Sequence, residues 1–327
     1  MSEYNDSNRA FLQAFMARSA MTFAEAQPIL AAIFTASSGR TVDPGEVTEE
    51  EFARFVAAAN TAVSPFDLEI RSSLPQATQP AGQDASTTPP ARIYALVNTT
   101  SDPLTQLATT YSPDEISFLK RLLDYMFIQN NTRRCEGMAL SQMQAVQLHK
   151  APSGARQSIG DGSTQTQTQT ASVQSLRMTQ AETMIIHLME EGWLQKSPKG
   201  YLSLMPRALM ELRGWLVSTY NEDNDGTARN RIKFCSACKD IITVGQRCSD
   251  LECYGRLHNH CMRNFFRMQQ AEECPVCGKE WPGDMFVGEK ALAANARPRN
   301  APRQSQAAHA TPSDAGEEPE DENDDEE

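Results

Sequence analysis

No run of apolar residues in this 327-residue chain approaches the roughly 18 that a membrane-crossing helix needs. The N-terminus has no basic stretch followed by an apolar core, so no secretory leader is expected and the chain reads as soluble and intracellular. Aromatic residues are scarce at 7%, but a hydrophobic share of 40% leaves enough to core two or three domains. Surplus base is missing too. Of the net charge of −12, ten units come from residues 314–327, which carry no lysine or arginine, so the rest of the chain stands near −2. Composition therefore excludes a strongly basic nucleic-acid binder and marks the C-terminal end as a solvated acidic tail. Cysteine is nearly confined to one stretch: outside residues 234–281 there is only Cys135, read as a small buried residue.

That stretch holds Cys235, Cys238, Cys248, Cys253, Cys261, Cys274 and Cys277, with His258 between the fourth and fifth. In a reducing compartment such a cluster points to metal rather than disulfides. Tetrahedral zinc takes four thiolate or imidazole ligands, so eight ligands in four pairs predict two closed structural sites. His258 is preferred over His260 because it stands three positions before Cys261, whereas adjacent side chains seldom reach one ion. The twelve residues between Cys261 and Cys274 leave room for a short helix over 262–270.

The chain before this stretch carries helix and strand signals in a repeated order. Phe11, Leu12, Phe15 and Met16 recur at helical spacing. Thr22 with Glu25, and Thr48 with Glu51, form capping boxes that open two further helices, the first interrupted near its start by Pro28 and ending near Gly39. The second buries Phe52, Phe55, Val56 and Ala59. Alternation of Phe66, Leu68 and Ile70 with charged residues predicts a strand, 72–91 a polar loop, and Ile93 to Val97 a second strand. Ser112-Pro113-Asp114-Glu115 starts a second series, whose helix buries Ile116, Leu119, Leu122, Leu123, Met126 and Phe127. A helix over 138–148 follows, then the polar tract 150–172, a helix boxed by Thr179 and Glu182, and a strand-turn-strand unit over 192–204. Pro206 opens the last helix, carrying Leu209, Leu212 and Leu216. His187 reads as a surface residue, and Lys196, Lys199 and Arg207 as a solvated basic wing.

Three helices and a two-stranded ribbon, met twice, is the order of a winged helix. The expected architecture is an α+β multidomain chain. It comprises a winged helix over 1–110 with an oversized wing loop at 72–91, and a second over 111–220 with a disordered insertion at 150–172. A linker at 221–230, a two-zinc domain at 231–288 and a disordered acidic tail at 289–327 complete it.

The ligand order resembles the RING and PHD cross-brace families, in which alternate pairs share an ion. That resemblance implies Cys235, Cys238, His258 and Cys261 for one zinc and Cys248, Cys253, Cys274 and Cys277 for the other. A PHD finger usually has tryptophan two residues before the seventh ligand; here Glu272 stands there, which disfavours a chromatin reader of that type. Cys274-Pro275-Val276-Cys277 with Trp281-Pro282 downstream looks like a variant RING.

From about residue 8 to 285 the chain resembles the non-SMC element one family of the Smc5-Smc6 complex. Residues Ile93 to Asn98, Gly192-Trp193-Leu194 and the segment from His258 to Trp281 carry the resemblance. It implies a nuclear, chromatin-associated subunit working in DNA repair and chromosome maintenance. The implied partners are a MAGE-type winged-helix subunit, a kleisin and a ubiquitin-conjugating enzyme, with DNA met through the assembled subcomplex and no membrane. It also implies RING-type ubiquitin ligase activity, in which the protein positions a thioester and does no covalent chemistry itself. Docking candidates are Ala237, Phe265, Phe266, Pro275, Val276 and Lys279. Active RINGs usually carry a bulky aliphatic before the second cysteine and a cation directly after the last; Ala237 and Gly278 occupy those places. The expectation is a ligase weak alone and stimulated by its partner, against the alternative of a purely architectural subunit.

Overall fold

The structure is a computed structural model that describes residues 4–76, 90–99, 107, 109–151, 175–221 and 230–296. Most of the expected wing loop, insertion, linker and acidic tail lies outside these residues.

The first unit comprises α1 (Asp6–Arg18), β1 (Ala20–Thr22), α2 (Phe23–Ser38), α3 (Glu49–Val63), β2 (Leu68–Ser73) and β3 (Ile93–Asn98). Both capping boxes form: Glu25 accepts from the Thr22 N–H at 2.7 Å and Glu51 from that of Thr48 at 2.9 Å. Phe11, Phe15, Leu30 and Phe52 make the core, with Tyr94 edge-on to Phe52 at 4.8 Å. The antiparallel sheet runs β1-β3-β2. The strand β1 is too short to show alternation, and nothing in the sequence announced it. Phe66 is not in a strand. It lies in a 3-10 turn closed by Asp67 at φ 58° and is 71% exposed, because the left-handed residue reverses the chain before pairing begins.

The second unit comprises α4 (Pro113–Asp124), β4 (Leu140–Ser141), α5 (Gln142–Gln147), α6 (Met178–Glu190), β5 (Leu194–Lys196), β6 (Tyr201–Leu204), α7 (Pro206–Glu211) and α8 (Arg213–Asn221). Its sheet runs β4-β6-β5. A π turn, Tyr125–Gln129, extends α4 and lets the adjacent Met126 and Phe127 both be buried. The Ser112 box forms, with Glu115 accepting its N–H at 2.8 Å; replacing Ser112 by Ala is expected to cost about 1 kcal/mol in chemical denaturation.

This unit departs from the sequence expectation at three places. The helix expected over 138–148 is a short strand followed by a six-residue helix, because Met138 takes φ 41° and Leu140 and Ser141 pair with β6. The helix α6 begins before Thr179: Gln180 accepts the Arg177 N–H at 2.9 Å, so Thr179 and Glu182 are not its box. Arg207 is not a free basic residue, since its guanidinium stacks over Trp193 at 4.7 Å, donates to the Glu191 carbonyl and pairs with Glu211 at 3.5 Å. His187 is exposed and Cys135 buried, as read.

The third unit, from Arg231 onward, holds β7 (Gly245–Arg247), β8 (Arg256–Leu257), α9 (Asn259–Gln269), β9 (Phe286–Val287) and α10 (Glu289–Ala296). The helix α10 stands where the sequence suggested tail. It is held by contact: a Cβ on Gly137 would lie 2.5 Å from Leu292, so only glycine admits this approach.

The second and third units share one apolar core. Ile232, Ile241 and Val287 lie in the same cluster as Phe118, Leu122 and Phe127. A buried ion cluster joins them as well. Glu136, 1% exposed, receives Arg256 through two hydrogen bonds at 2.8 and 2.7 Å, Arg247 at 3.2 Å, and Lys233. Around this carboxylate the chain is also stitched by backbone: the Gly288 N–H donates to the Glu136 carbonyl at 2.7 Å, and Asn131 donates to the Arg231 carbonyl at 2.8 Å. The first unit joins through α7, which packs on β2 and β3. A cleft of about 420 Å³, lined by Ile70, Arg71, Gln76, Leu209, Arg213 and Ile241, marks where all three meet.

Candidate metal centres

The fold gathers the eight predicted ligands into two sets. Cys235, Cys238, His258 and Cys261 form one and Cys248, Cys253, Cys274 and Cys277 the other, with the ligand atoms of each set within 4.8 Å of one another. Alternate pairs are thus shared, as in a cross-brace.

Local structure places each pair. In Cys235-Ser236-Ala237-Cys238 the Lys239 N–H donates to the Cys235 carbonyl at 2.9 Å, and in Cys274-Pro275-Val276-Cys277 the Gly278 N–H donates to the Cys274 carbonyl at 3.0 Å. The residue after each knuckle is left-handed, Lys239 at φ 64° and Gly278 at φ 70°. That geometry favours glycine at 278, so the nearest cation is Lys279. His258 caps the N-terminus of α9, which carries Cys261 one turn on. Between Cys253 and His258 the chain turns at Gly255, where a Cβ would stand 2.4 Å from the Cys274 sulfur.

The spacing tests what the sets can hold. Cys248 to Cys277 and Cys253 to Cys274 are each 3.6 Å apart between sulfurs. A disulfide would need about 2.05 Å, while a tetrahedron with zinc–sulfur bonds of about 2.3 Å has edges of about 3.8 Å. His258 turns Nδ1 toward Cys238 at 3.3 Å and Cys261 at 4.0 Å, and Nε2 toward the Ile241 carbonyl at 3.3 Å. With Nε2–H donating to that carbonyl, Nδ1 is left free to ligate. His260 stacks on His258 at 5.0 Å and is not in the set.

Electrostatics agree. Hydrogen bonds from Cys238 and Cys261 hold the Cys235 thiol far below its usual range, while Cys261 is driven far above it. Burial pushes Cys253 up to about 12, whereas the backbone N–H of Lys279 draws Cys277 down to about 7. Sulfurs this close cannot all ionise unaided, and a central divalent cation removes the conflict. Backbone N–H groups of Asp250 and Gly255 already point at Cys248 and Cys253, at 3.4 and 3.3 Å, where thiolates would accept them.

The docking candidates divide. Val276 is 58% exposed, and Ala237 is exposed at the other knuckle. Pro275 and Phe265 are half-buried. Phe266 packs on the buried Trp281 at 5.8 Å, and both phenylalanines lie partly buried against the cysteine cluster. Lys279 is tied to Asp250 at 2.7 Å. Residues that sequence reasoning passed over are Gln246, which accepts the Trp281 indole N–H at 2.8 Å, and the Glu136 cluster with Arg247 and Arg256. One signal was available: Arg256 sits in a four-residue span between two ligands and has little room to leave.

Comparison with known proteins follows this geometry. Residues 8–212 match the family described as Nse1 non-SMC component of SMC5-6 complex, and residues 235–277 match a RING-like domain. The chain is 22% identical over 238 residues to the human non-structural maintenance of chromosomes element 1 homolog, covering 73% of this chain and 72% of the relative. It is 21% identical over 285 residues to that of Pongo abelii, covering 87% of each. With the fission yeast Schizosaccharomyces pombe protein the figures are 21% over 194 residues, 58% of this chain and 65% of the relative. A solved Nse1-Nse3-Nse4 complex has a chain of the same fold, at TM-score 0.61 and 19% identity, covering 86% of this chain and 99% of that one. The family match spans more than half the sequence, and the chain belongs to the Nse1 family of non-SMC components of the SMC5-6 complex, with a RING-like domain following the family's characteristic region.

Proposed function

We propose that this chain is the RING-bearing subunit of a nuclear SMC5-6-type complex, holding two structural zinc ions. In this reading its two helix-and-sheet units are tandem winged helices that dock a MAGE-type subunit and a kleisin, and it acts with that partner as a ubiquitin ligase in DNA repair and chromosome maintenance. The partner assignment draws support from the solved relative, a chain of an Nse1-Nse3-Nse4 complex. Zinc draws support from three- and four-sulfur donor sets at tetrahedral spacing.

The observation that carries the ligase reading is the exposed Val276 on the last knuckle, together with the half-buried Pro275 and Phe265, an apolar surface beside a closed metal site. Zinc supplies no chemistry there beyond holding the knuckles in place. Two features hold activity down: Ala237 gives the other knuckle little apolar bulk, and Asp250 engages Lys279. Ubiquitin chains are therefore expected only when the MAGE-type partner is present. The double variant Phe265→Ala, Val276→Ala should lower the partner-stimulated rate about tenfold or more, with metal content unchanged. An unaltered rate, or no chains with any conjugating enzyme, leaves the architectural role. That role has its own support in the shared core and the buried Glu136 cluster.

DNA is met through the assembled complex in this reading. With Arg207 occupied by Trp193 and Glu211, and Lys199 beside Glu289 at 3.8 Å, two of the three cations expected around this wing are already engaged. The lone chain's DNA affinity is expected to be undetectable at physiological salt in an anisotropy titration.

A further inference from the structure

The described part of the expected wing loop ends in a residue that belongs to another unit's interior. Gln76 is 7% exposed and lies against the metal-binding unit, 165 positions on in sequence. Its carboxamide nitrogen donates to the Ile241 carbonyl at 2.7 Å. Its oxygen accepts from the Thr243 N–H at 2.8 Å, the Thr243 hydroxyl at 3.1 Å and the Val244 N–H at 3.2 Å. Both polar atoms of one side chain are thereby engaged by one segment, residues 241–244. Buried main-chain groups must be paired somewhere, and here the pairing comes from the first unit of the chain.

The Ile241 carbonyl is also the acceptor for His258 Nε2 at 3.3 Å. One oxygen thus meets Gln76 from one side and a metal ligand from the other. The imidazole's tautomer and ring orientation depend on where that oxygen sits. Outer partners of ligating histidines commonly set metal affinity about 10- to 100-fold.

We propose that Gln76 is a positioning residue for the Cys235, Cys238, His258 and Cys261 centre, completing from the first unit a site whose ligands all lie in the third. The inference rests on the reading of these clusters as zinc sites. Among the described residues no hydrogen bond from the first unit reaches the second centre. Its sulfurs are met by N–H groups of Asp250 and Gly255 within the unit, and its Cys253 carbonyl by Arg256, which is anchored on Glu136 of the second unit. Loss of Gln76 should therefore loosen one ion and spare the other. By linkage, anything that displaces the base of this loop should weaken the same ion.

The test uses the full chain and counts zinc released to an excess of chromophoric chelator. Wild type should hold two equivalents. Gln76→Ala should release one of them about tenfold faster or more, with the second unchanged. Gln76→Glu should also release that equivalent faster than wild type and spare the other, because its carboxylate still accepts from Thr243 and Val244 but meets the Ile241 carbonyl with an acceptor instead of a donor. Cobalt substitution assigns the labile equivalent, since three sulfurs with one nitrogen and four sulfurs give different visible spectra. Asn131→Ala, which removes an inter-unit hydrogen bond away from Ile241, should leave both rates as in wild type. Equal acceleration of both equivalents in Gln76→Ala, no acceleration, or the same selective loss in Asn131→Ala overturns the proposal. Should Gln76→Ala fail to fold, Gln76→Glu decides alone. Wild type without bound zinc would instead defeat the metal reading itself.

Discussion

Glu136→Ala is expected to destabilise the chain by about 3–5 kcal/mol, the range for removing one partner of a buried ion pair. The size follows from what stays behind. Arg256 is fully buried and Arg247 nearly so, with Lys233 beside them, and Glu136 is the carboxylate that all three meet. The deficit should appear as a lower urea midpoint. Glu136→Gln should recover little of it, because an amide keeps the shape but not the charge. The pH dependence is specific. Burial alone would push the Glu136 carboxyl up, but Arg256, Lys233 and Arg247 outweigh it and bring it down to about 2. Its contribution is therefore full above the ordinary carboxylate range and is lost as pH falls from there toward 2. Lys233 runs the other way: burial, aided by the two arginines and opposed by Glu136, pushes it down to about 8. Above pH 8 the folded chain sheds this proton while the unfolded chain keeps it, so stability at this site rises with pH up to lysine's usual range. The gap between wild type and Glu136→Ala should accordingly narrow in alkaline solution. An equal gap at pH 7 and 9.5 would remove Lys233 from the account.

What the sequence disclosed and what it hid divide along a physical line. Capping boxes at Thr22, Thr48 and Ser112 were legible because both partners lie within four residues. The two sets of candidate ligands were legible because few other uses bring seven cysteines and a histidine into paired spacing. Among the described residues, what was hidden needed partners far along the chain. Gln76 stands in a stretch rich in Ser, Thr, Gln and Pro that carries no apolar pattern, and only its contact with residues 241–244 makes it a core residue. Glu136 was passed over for the same reason, since its partners Lys233, Arg247 and Arg256 lie about a hundred residues on. The strand β4 was missed because two residues cannot display a period, and it exists only by pairing with β6. Arg207 was read as part of a basic wing; Trp193 and Glu211, four residues or more away, took it inward.

Removing metal is expected to do more than unfold residues 230–296. Structural zinc in small domains contributes apparent binding energies of about 10–16 kcal/mol per site, which exceeds what a unit of this size can replace with apolar burial. Here the loss should spread, because Ile232, Ile241 and Val287 are part of the core built by α4, α6 and α8. Chelation should therefore raise hydrogen exchange in α4 and α6 as well as around the ligands, and leave α1 to α3, whose core is separate, largely protected. Exchange changes confined to 230–296 would mean the second unit stands without the third. Cys274→Ser should reproduce chelation at its own site, while Cys135→Ala, the one cysteine outside the ligand sets, should cost only about 1–2 kcal/mol. The contrast limits what ligand mutants can reveal about activity. A ligand substitution that abolishes ubiquitin transfer also loosens the surfaces of the second unit, and with them any partner docked there. Only changes such as Phe265→Ala and Val276→Ala, which leave ligands and shared core in place, separate transfer from assembly.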